Sequence, residues 1–241
     1  MEQIIQLMEQ AKQYNGIETS FDSEYKYNGV IVPRVTKILQ KCIHNDGLMY
    51  WANSLGFKHK SYQKTLNEAA FIGSSCHNSI DNFLNDNTFY PKDIVPEARN
   101  AYDSFRIWFS SIATLNNVEI IWHEKQIICP YFGGTLDGLY KINGKLYLID
   151  YKTSNHISIN YYLQLAAYRY ILKNYYNIDV DGIIILQLNK YETSYNQITI
   201  NLDDEKCLNF LNQCETTFLS LVYSYYNLTI TEDMLKKLNL G

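Results

Sequence analysis

The sequence predicts an α/β fold, with a mixed central β-sheet flanked by helices and preceded by an N-terminal helical portion. Three observations support this class. A chain of 241 residues, 46% of them hydrophobic, can bury a large core. The pattern is mainly helical before Val118 and alternates as strands directly after it. Asn143-Gly144 separates two alternating segments, as in a hairpin with a two-residue type I′ turn.

The first half of the chain, residues 1–117, is predicted to be mainly helical. Pro96 suits the first turn of a helix, where its missing N–H is not needed. Residues 40–64 show a mixed pattern that predicts no single element. The expected elements are a helix at 1–14, a small β-hairpin at 21–32 around Asn28-Gly29, a helix from 34 through 39, and long helices at 65–84 and 96–113.

The second half is expected to hold the α/β core, at 118–225, followed by a C-terminal tail at 226–241. Strands that alternate with helices indicate helices on both faces of one sheet, so we expect a single domain over residues 1–241. The expected elements are strands at 118–128, 132–142 and 145–152, a helix at 157–175, strands at 182–188 and 196–202, and a terminal helix at 203–226.

Composition excludes several function classes. No Gly-x-x-x-x-Gly-Lys-Ser/Thr motif occurs, so neither a P-loop motor nor a nucleotide cofactor is expected. The start does not resemble a signal peptide, and no apolar run approaches the roughly 20 residues that span a bilayer, so we expect a cytoplasmic protein without a membrane partner. Five scattered cysteines without a Cys-x-x-Cys pair indicate free thiols in a reducing compartment.

The net charge of −4 is unevenly distributed along the chain. Segment 34–64 carries six Lys or Arg residues against the single acid Asp46, a local balance of +5. The same segment contains the aromatic residues Tyr50, Trp51, Phe57 and Tyr62 beside its lysines, a combination that suits a single-stranded nucleic acid. A solvated basic surface beside ordinary core aromatics is the alternative interpretation.

A pair of carboxylates follows from the predicted hairpin. A two-residue turn at Asn143-Gly144 opposes residues whose numbers sum to 287, so Asp137 faces Asp150 if no bulge intervenes. Like charges opposed on apolar central strands are costly, and a divalent cation such as Mg²⁺ would compensate them. Lys152 shares the face of Asp150. The alternative is that Lys152 simply neutralises Asp150 near a strand end, with Asp137 in a turn.

These residues resemble the signature of a known family. Gly134-x-x-Asp137 followed by Leu148-Ile149-Asp150-Tyr151-Lys152-Thr153-Ser154 is similar to the motif of PD-(D/E)xK nucleases, in their RecB-like branch. Gln164-x-x-x-Tyr168 resembles the downstream Gln-x-x-x-Tyr motif, and His77 resembles the helical histidine of the metal site. Residues 32–39 and His123-Glu124 resemble elements of the mitochondrial genome-maintenance exonuclease type and its phage relatives. The resemblance covers residues 30 to about 225.

The resemblance implies a metal-dependent DNA exonuclease that acts on single-stranded ends in replication, repair or recombination. It also implies a bacterial or phage-infected host cell and other replication or recombination proteins as partners. It implies one or two Mg²⁺ or Mn²⁺ ions and, with only Cys207 and Cys214 downstream, no iron–sulfur cluster. The implied catalytic residues are Lys152, Asp150, Asp137 and Gln164. The implied metal ligands are His77, Asp137, Asp150 and the Tyr151 carbonyl. The implied substrate contacts are Gln164, Tyr168, Ser154, Thr153, Arg34, Thr36 and Lys37.

Other interpretations of single residues stay open. His77 also fits a core histidine, and Gln164 with Tyr168 also fits a core stripe with a buried amide. Ser154 and Thr153 also fit a cap of the following turn. Glu124 could be a metal ligand, an acid beyond the ligands, or an exposed strand residue. For the whole protein, the alternatives are an inactive DNA-binding or assembly protein with a nuclease fold, and a structure-specific endonuclease.

Overall fold

The computed structural model describes residues 25–43, 46–86 and 88–238, together with Gln6. The predicted helix at 1–14 and the first part of the predicted hairpin, 21–24, lie outside these residues. The helices are α1 (Val35–Cys42), α2 (Asp46–Phe57), α3 (Tyr62–Asn85), α4 (Pro96–Leu115), α5 (Ile159–Tyr175) and α6 (Glu205–Lys237). The strands are β1 (Lys26–Tyr27), β2 (Val30–Ile31), β3 (Val118–Ile128), β4 (Gly133–Ile142), β5 (Lys145–Lys152), β6 (Gly182–Leu188) and β7 (Tyr195–Asn201).

The central sheet has the order β3-β4-β5-β6-β7 and is mixed, as predicted. Pairing is antiparallel except between β5 and β6, which are parallel and connected through α5. The predicted strand bounds at 118–128, 145–152 and 182–188 are confirmed. The small hairpin around Asn28-Gly29 is confirmed as β1 and β2, whose turn residues both have positive φ.

Helices cover both faces of the sheet, each over its own apolar cluster. On one face, α1, α5 and α6 pack against strand residues that include Leu139, Leu148 and Ile183. On the other face, α3 and α4 pack against residues that include Tyr140 and Ile149. Because successive strand residues point to opposite faces, β5 and β6 supply apolar side chains to both clusters, as expected of central strands.

Two helical predictions are corrected. The mixed segment 40–64 contains α2, whose glycines at 47 and 56 weaken the helical pattern and whose described side chains are mostly exposed. The terminal helix continues to Lys237 rather than ending near 226, because neither glycine nor proline follows until Gly241. Among the described residues, no helix combines the length and apolar character needed to cross a bilayer.

Candidate functional site

The β4–β5 hairpin follows the predicted register. Its pairs run from Ile142 and Lys145 outward to Gly138 and Ile149, each summing to 287. The ladder stops there, one pair short of the predicted pairing of Asp137 with Asp150. Beyond that point the Tyr151 amide donates to Asp137 Oδ2 at 2.7 Å, so a carboxylate serves as acceptor on the β4 side. Asp137 and Asp150 are both buried where the two strands stop pairing.

Three side chains from three elements converge beside this point. His77 of α3, Glu124 of β3 and Asp137 of β4 each offer a ligand atom, and these atoms all lie within 4.8 Å of one another. His77 Nδ1 is 3.4 Å from Glu124 Oε1 and 3.5 Å from Asp137 Oδ1. One imidazole nitrogen and two carboxylates form a donor set that Mn²⁺ and Mg²⁺ can use.

The electrostatics of this cluster favour a positive charge. His77 Nε2 lies 3.1 Å from the Tyr151 carbonyl oxygen, which can only accept, so Nε2 carries the proton of that hydrogen bond and Nδ1 faces the carboxylates. Burial opposes protonation of His77, but Asp137 and Glu124 outweigh it and raise the pKa of the imidazole to about 9. The Tyr151 carbonyl, a predicted ligand, therefore orients His77 in this arrangement.

The backbone of β3 is strained where it meets α3. Successive strand residues normally point to opposite faces, yet His123 and Glu124 both reach α3, where His123 Nδ1 is 2.8 Å from Asp81 Oδ1 and Glu124 contacts His77. Glu124 has a φ of 43°, in the left-handed region. Such a conformation costs on the order of 1–3 kcal/mol and clusters at functional sites. Asp81 was not among the predicted site residues. Its spacing of four residues from His77, which places both on one face of α3, is the sequence feature that could have indicated it.

A second polar group lies at the same end of the sheet, between β5 and α5. Lys152 Nζ donates to Asp150 Oδ1 at 2.6 Å and lies 4.9 Å from the centre of the Tyr161 ring. Gln164 Nε2 of α5 is 3.3 Å from Asp150 Oδ1 and 3.3 Å from the Tyr168 hydroxyl. The predicted residues Asp150, Lys152, Gln164 and Tyr168 are thus brought together.

Asp150 retains one free acceptor in a dry environment. Its side chain is 1% exposed, and Oδ2 has no hydrogen-bond partner among the residues that the structure describes. Burial raises the pKa of this carboxyl, and Lys152 opposes that effect. Burial likewise opposes the charge on Lys152, but Asp150 and Asp137 outweigh it and raise the pKa of the ammonium. A buried acceptor without a partner is costly and marks a place for a cation or a donor.

Gly134 permits the close approach of Tyr168 to β4. A Cβ at residue 134 would lie 2.6 Å from the Tyr168 hydroxyl oxygen and 2.8 Å from Cζ of that buried ring. We therefore expect Gly134→Ala to lower the free energy of unfolding by about 2–3 kcal/mol, as overpacking does. Urea denaturation measures this change. Gly56→Ala on α2 is the control, because a Cβ there meets nothing within 4 Å; equal stability of both variants would contradict the packing described.

The remaining predicted residues lie around this end of the sheet. Thr153 Oγ1 approaches Gly73 of α3, within 3.5 Å of the position a Cβ would take. The Ser154 hydroxyl donates to the His156 carbonyl at 3.0 Å in the turn after β5, whereas the N-terminus of α5 is capped by Ser158. Arg34 precedes α1 and bridges Gly133 through the backbone, and it is exposed, as are Thr36 and Lys37.

Comparisons with known proteins add little. No protein-family model matches the sequence, and no curated protein matches it. A solved structure described as the crystal structure of SSO0001 aligns over 93% of this chain and 84% of that chain, with 16% sequence identity and a TM-score of 0.42. A similarity at that level carries no argument about this protein.

Proposed function

We propose that this protein is a metal-dependent deoxyribonuclease of the RecB-like PD-(D/E)xK type that removes nucleotides from single-stranded DNA ends. The observation that carries the proposal is the unpartnered, fully buried Oδ2 of Asp150, beside a lysine on one side and the His77, Glu124 and Asp137 donor set on the other. Such a concentration of buried charge does not serve the stability of a protein core, because buried charges are costly unless they are compensated.

Mg²⁺ or Mn²⁺ fits these residues. His77 Nδ1, Asp137 Oδ1 and Glu124 Oε1 would hold it, and Asp150 Oδ2 is the remaining buried acceptor. When bound, such an ion polarises a phosphoryl group and lowers the pKa of a bound water. The Tyr151 carbonyl then has the supporting role of fixing the His77 ring, as the outer partners of metal-binding histidines do.

Lys152 would act as a positioned cation rather than as a base. Its raised pKa keeps the ammonium protonated near neutral pH, and Asp150 holds it at 2.6 Å. A fixed positive charge in a dry site stabilises negative charge that develops on a phosphate. Gln164 and Tyr168 would keep Asp150 in place through their chain of hydrogen bonds.

An exposed aromatic and basic surface supports a single-stranded substrate. It comprises α2 and the first half of α3 and is called the arm here. Tyr50 is 77% and Phe57 80% exposed, so the alternative that these aromatics belong to the core does not hold for them. The exposed lysines beside them are Lys58, Lys60 and Lys64. Stacked bases and a cationic track are how proteins bind single strands.

The arm is continuous with the donor set through α3. Lys64 and His77 lie on this one helix, thirteen positions apart, which is about 20 Å of helix axis. A single DNA strand that lies along α3 would therefore contact the arm several nucleotides away from the donor set.

Replacing Lys58, Lys60 and Lys64 together with alanine is expected to weaken binding of single-stranded DNA. If each lysine neutralises one phosphate, the slope of log affinity against log salt should fall by about 2. Fluorescence anisotropy at several salt concentrations measures this slope. The control replaces the exposed lysines Lys26, Lys92 and Lys206; an equal loss in the control would show that only net charge matters.

The proposal is tested by digestion of end-labelled linear and closed circular DNA, single- and double-stranded, with Mg²⁺, Mn²⁺ or EDTA. We expect linear single strands to be shortened only with a divalent ion and closed circles to stay intact. Cleavage of circles would indicate an endonuclease. Binding of DNA without cleavage under any of these conditions would favour the binding or assembly protein.

A further inference from the structure

A polar cavity of about 370 Å³ lies beyond the carboxyl ends of β5 and β6. These two strands form the parallel pair of the sheet, with Lys152 opposite Gln187 in register. In α/β sheets, ligands bind at the carboxyl ends of parallel strands. The lining of the cavity includes Ser154, Asn155, Gln187, Lys190, Tyr191 and Asn196.

The lining is rich in amides and carries one positive charge. Gln187 Nε2 donates to the Ser154 carbonyl at 2.8 Å, and Asn196 Nδ2 is 3.4 Å from Gln187 Oε1, so these groups are held in fixed positions. Asn155 and Asn196 are exposed at the cavity, and side-chain amides pair with the edges of nucleobases. The nine described residues that line the cavity include one cation, Lys190, and no acid.

Tyr191 supplies a stacking surface at the rim. Its side chain is 68% exposed, and Lys190 Nζ lies 5.5 Å from the centre of its ring. An exposed ring beside a cation suits a base and its phosphate. The cavity also begins close to the reacting groups, because two residues of extended chain from Lys152 to Ser154 span at most about 7 Å.

We propose that this cavity binds the nucleobase of a nucleotide adjacent to the scissile phosphate and gives cleavage a base preference at that position. The inference rests on the proposed nuclease function. A lining of amides and one cation, with an exposed ring at its rim, suits a nucleobase with its phosphate, and a span of about 7 Å corresponds to roughly two base steps of DNA. Tyr191 stacks on the base, and the amides of Asn155 and Asn196 read its edge.

The test measures binding and cleavage separately. Anisotropy of fluorescein-labelled single-stranded dodecamers, in EDTA, should show binding about tenfold weaker for Tyr191→Ala than for wild type, and near wild type for Tyr191→Phe, which keeps the ring. Sequencing of products from a randomised pool with Mn²⁺ should show a base preference that Asn196→Ala flattens. Both positions are exposed, so the substitutions should not disturb the fold. Thermal unfolding of each variant is the check.

The outcomes separate this inference from the nuclease proposal. Wild-type binding by Tyr191→Ala, or a base preference that Asn196→Ala leaves unchanged, overturns the inference while leaving metal-dependent cleavage intact. Weaker binding by Tyr191→Ala in a protein that cleaves nothing supports the cavity as a nucleobase site and overturns only the nuclease. Absence of any DNA binding by the wild type overturns both.

Discussion

Lys152→Ala is expected to lower the rate of metal-dependent DNA cleavage by about a hundredfold to a thousandfold, the usual cost of losing one preorganised group that stabilises developing charge. The ammonium is held by Asp150 at 2.6 Å and lies 4.9 Å from the centre of the Tyr161 ring. Initial rates on end-labelled single strands at saturating Mn²⁺ measure this effect.

The control for Lys152→Ala is Lys145→Ala. Lys145 begins the same strand, is half exposed, and pairs with Asp203 far from the donor set, so its loss should leave the rate unchanged. Lys152→Ala also leaves Asp150 buried without its partner, which can cost about 3–5 kcal/mol. Thermal unfolding of Lys152→Ala is therefore measured beside its rate, so that loss of activity is not mistaken for loss of the fold. A wild-type rate in folded Lys152→Ala would contradict the role assigned to Lys152.

Asp137→Asn is expected to abolish most of the stabilisation by Mn²⁺ and to reduce cleavage at least a hundredfold. Asparagine can still accept the Tyr151 N–H through its carbonyl oxygen, so the end of the hairpin stays closed, but a charged ligand is lost. At an ion concentration of 100 times Kd, wild type should gain about 2.7 kcal/mol in free energy of unfolding. Thermal unfolding with Mn²⁺ and with EDTA measures the gain.

Asp179→Asn is the matched control for Asp137→Asn. Its carboxylate is exposed and pairs with Lys173 at 3.3 Å, away from the donor set. This variant should respond to Mn²⁺ like wild type. If Asp137→Asn gained as much stability from Mn²⁺ as wild type, the ion would bind elsewhere, and the donor set of His77, Glu124 and Asp137 would not be the metal site.

Much of the sheet was predictable because its determinants are local. Asn143-Gly144 sets the hairpin register, and that register alone brings Asp137 and Asp150 to one end of the sheet. The point where the ladder stops was not predictable in the same way. It depends on the Asp137 side chain, which accepts the hydrogen bond of the Tyr151 amide. The hydrophobic pattern of the sequence carries no information about that contact.

The orientation of Glu124 was equally hidden from the sequence. Strand alternation places His123 and Glu124 on opposite faces, and only a left-handed backbone turns both toward α3. A glycine in the sequence indicates that a positive φ is possible at its position, but a glutamate does not. The helix α2 was missed for another reason: it has few buried described residues, so the hydrophobic periodicity that reveals helices is weak there.

The strained residue Glu124 makes the two halves of the chain interdependent. A fragment beginning at residue 118 would contain every residue of the signature from Gly134 to Tyr168, yet it would lack α3 with His77 and Asp81. Without those partners, no described contact with α3 holds Glu124 at a φ of 43°, and its backbone would relax to an ordinary strand that turns the carboxylate away. Such a fragment would have an incomplete donor set, and it would also expose the apolar face of the sheet that α3 and α4 cover.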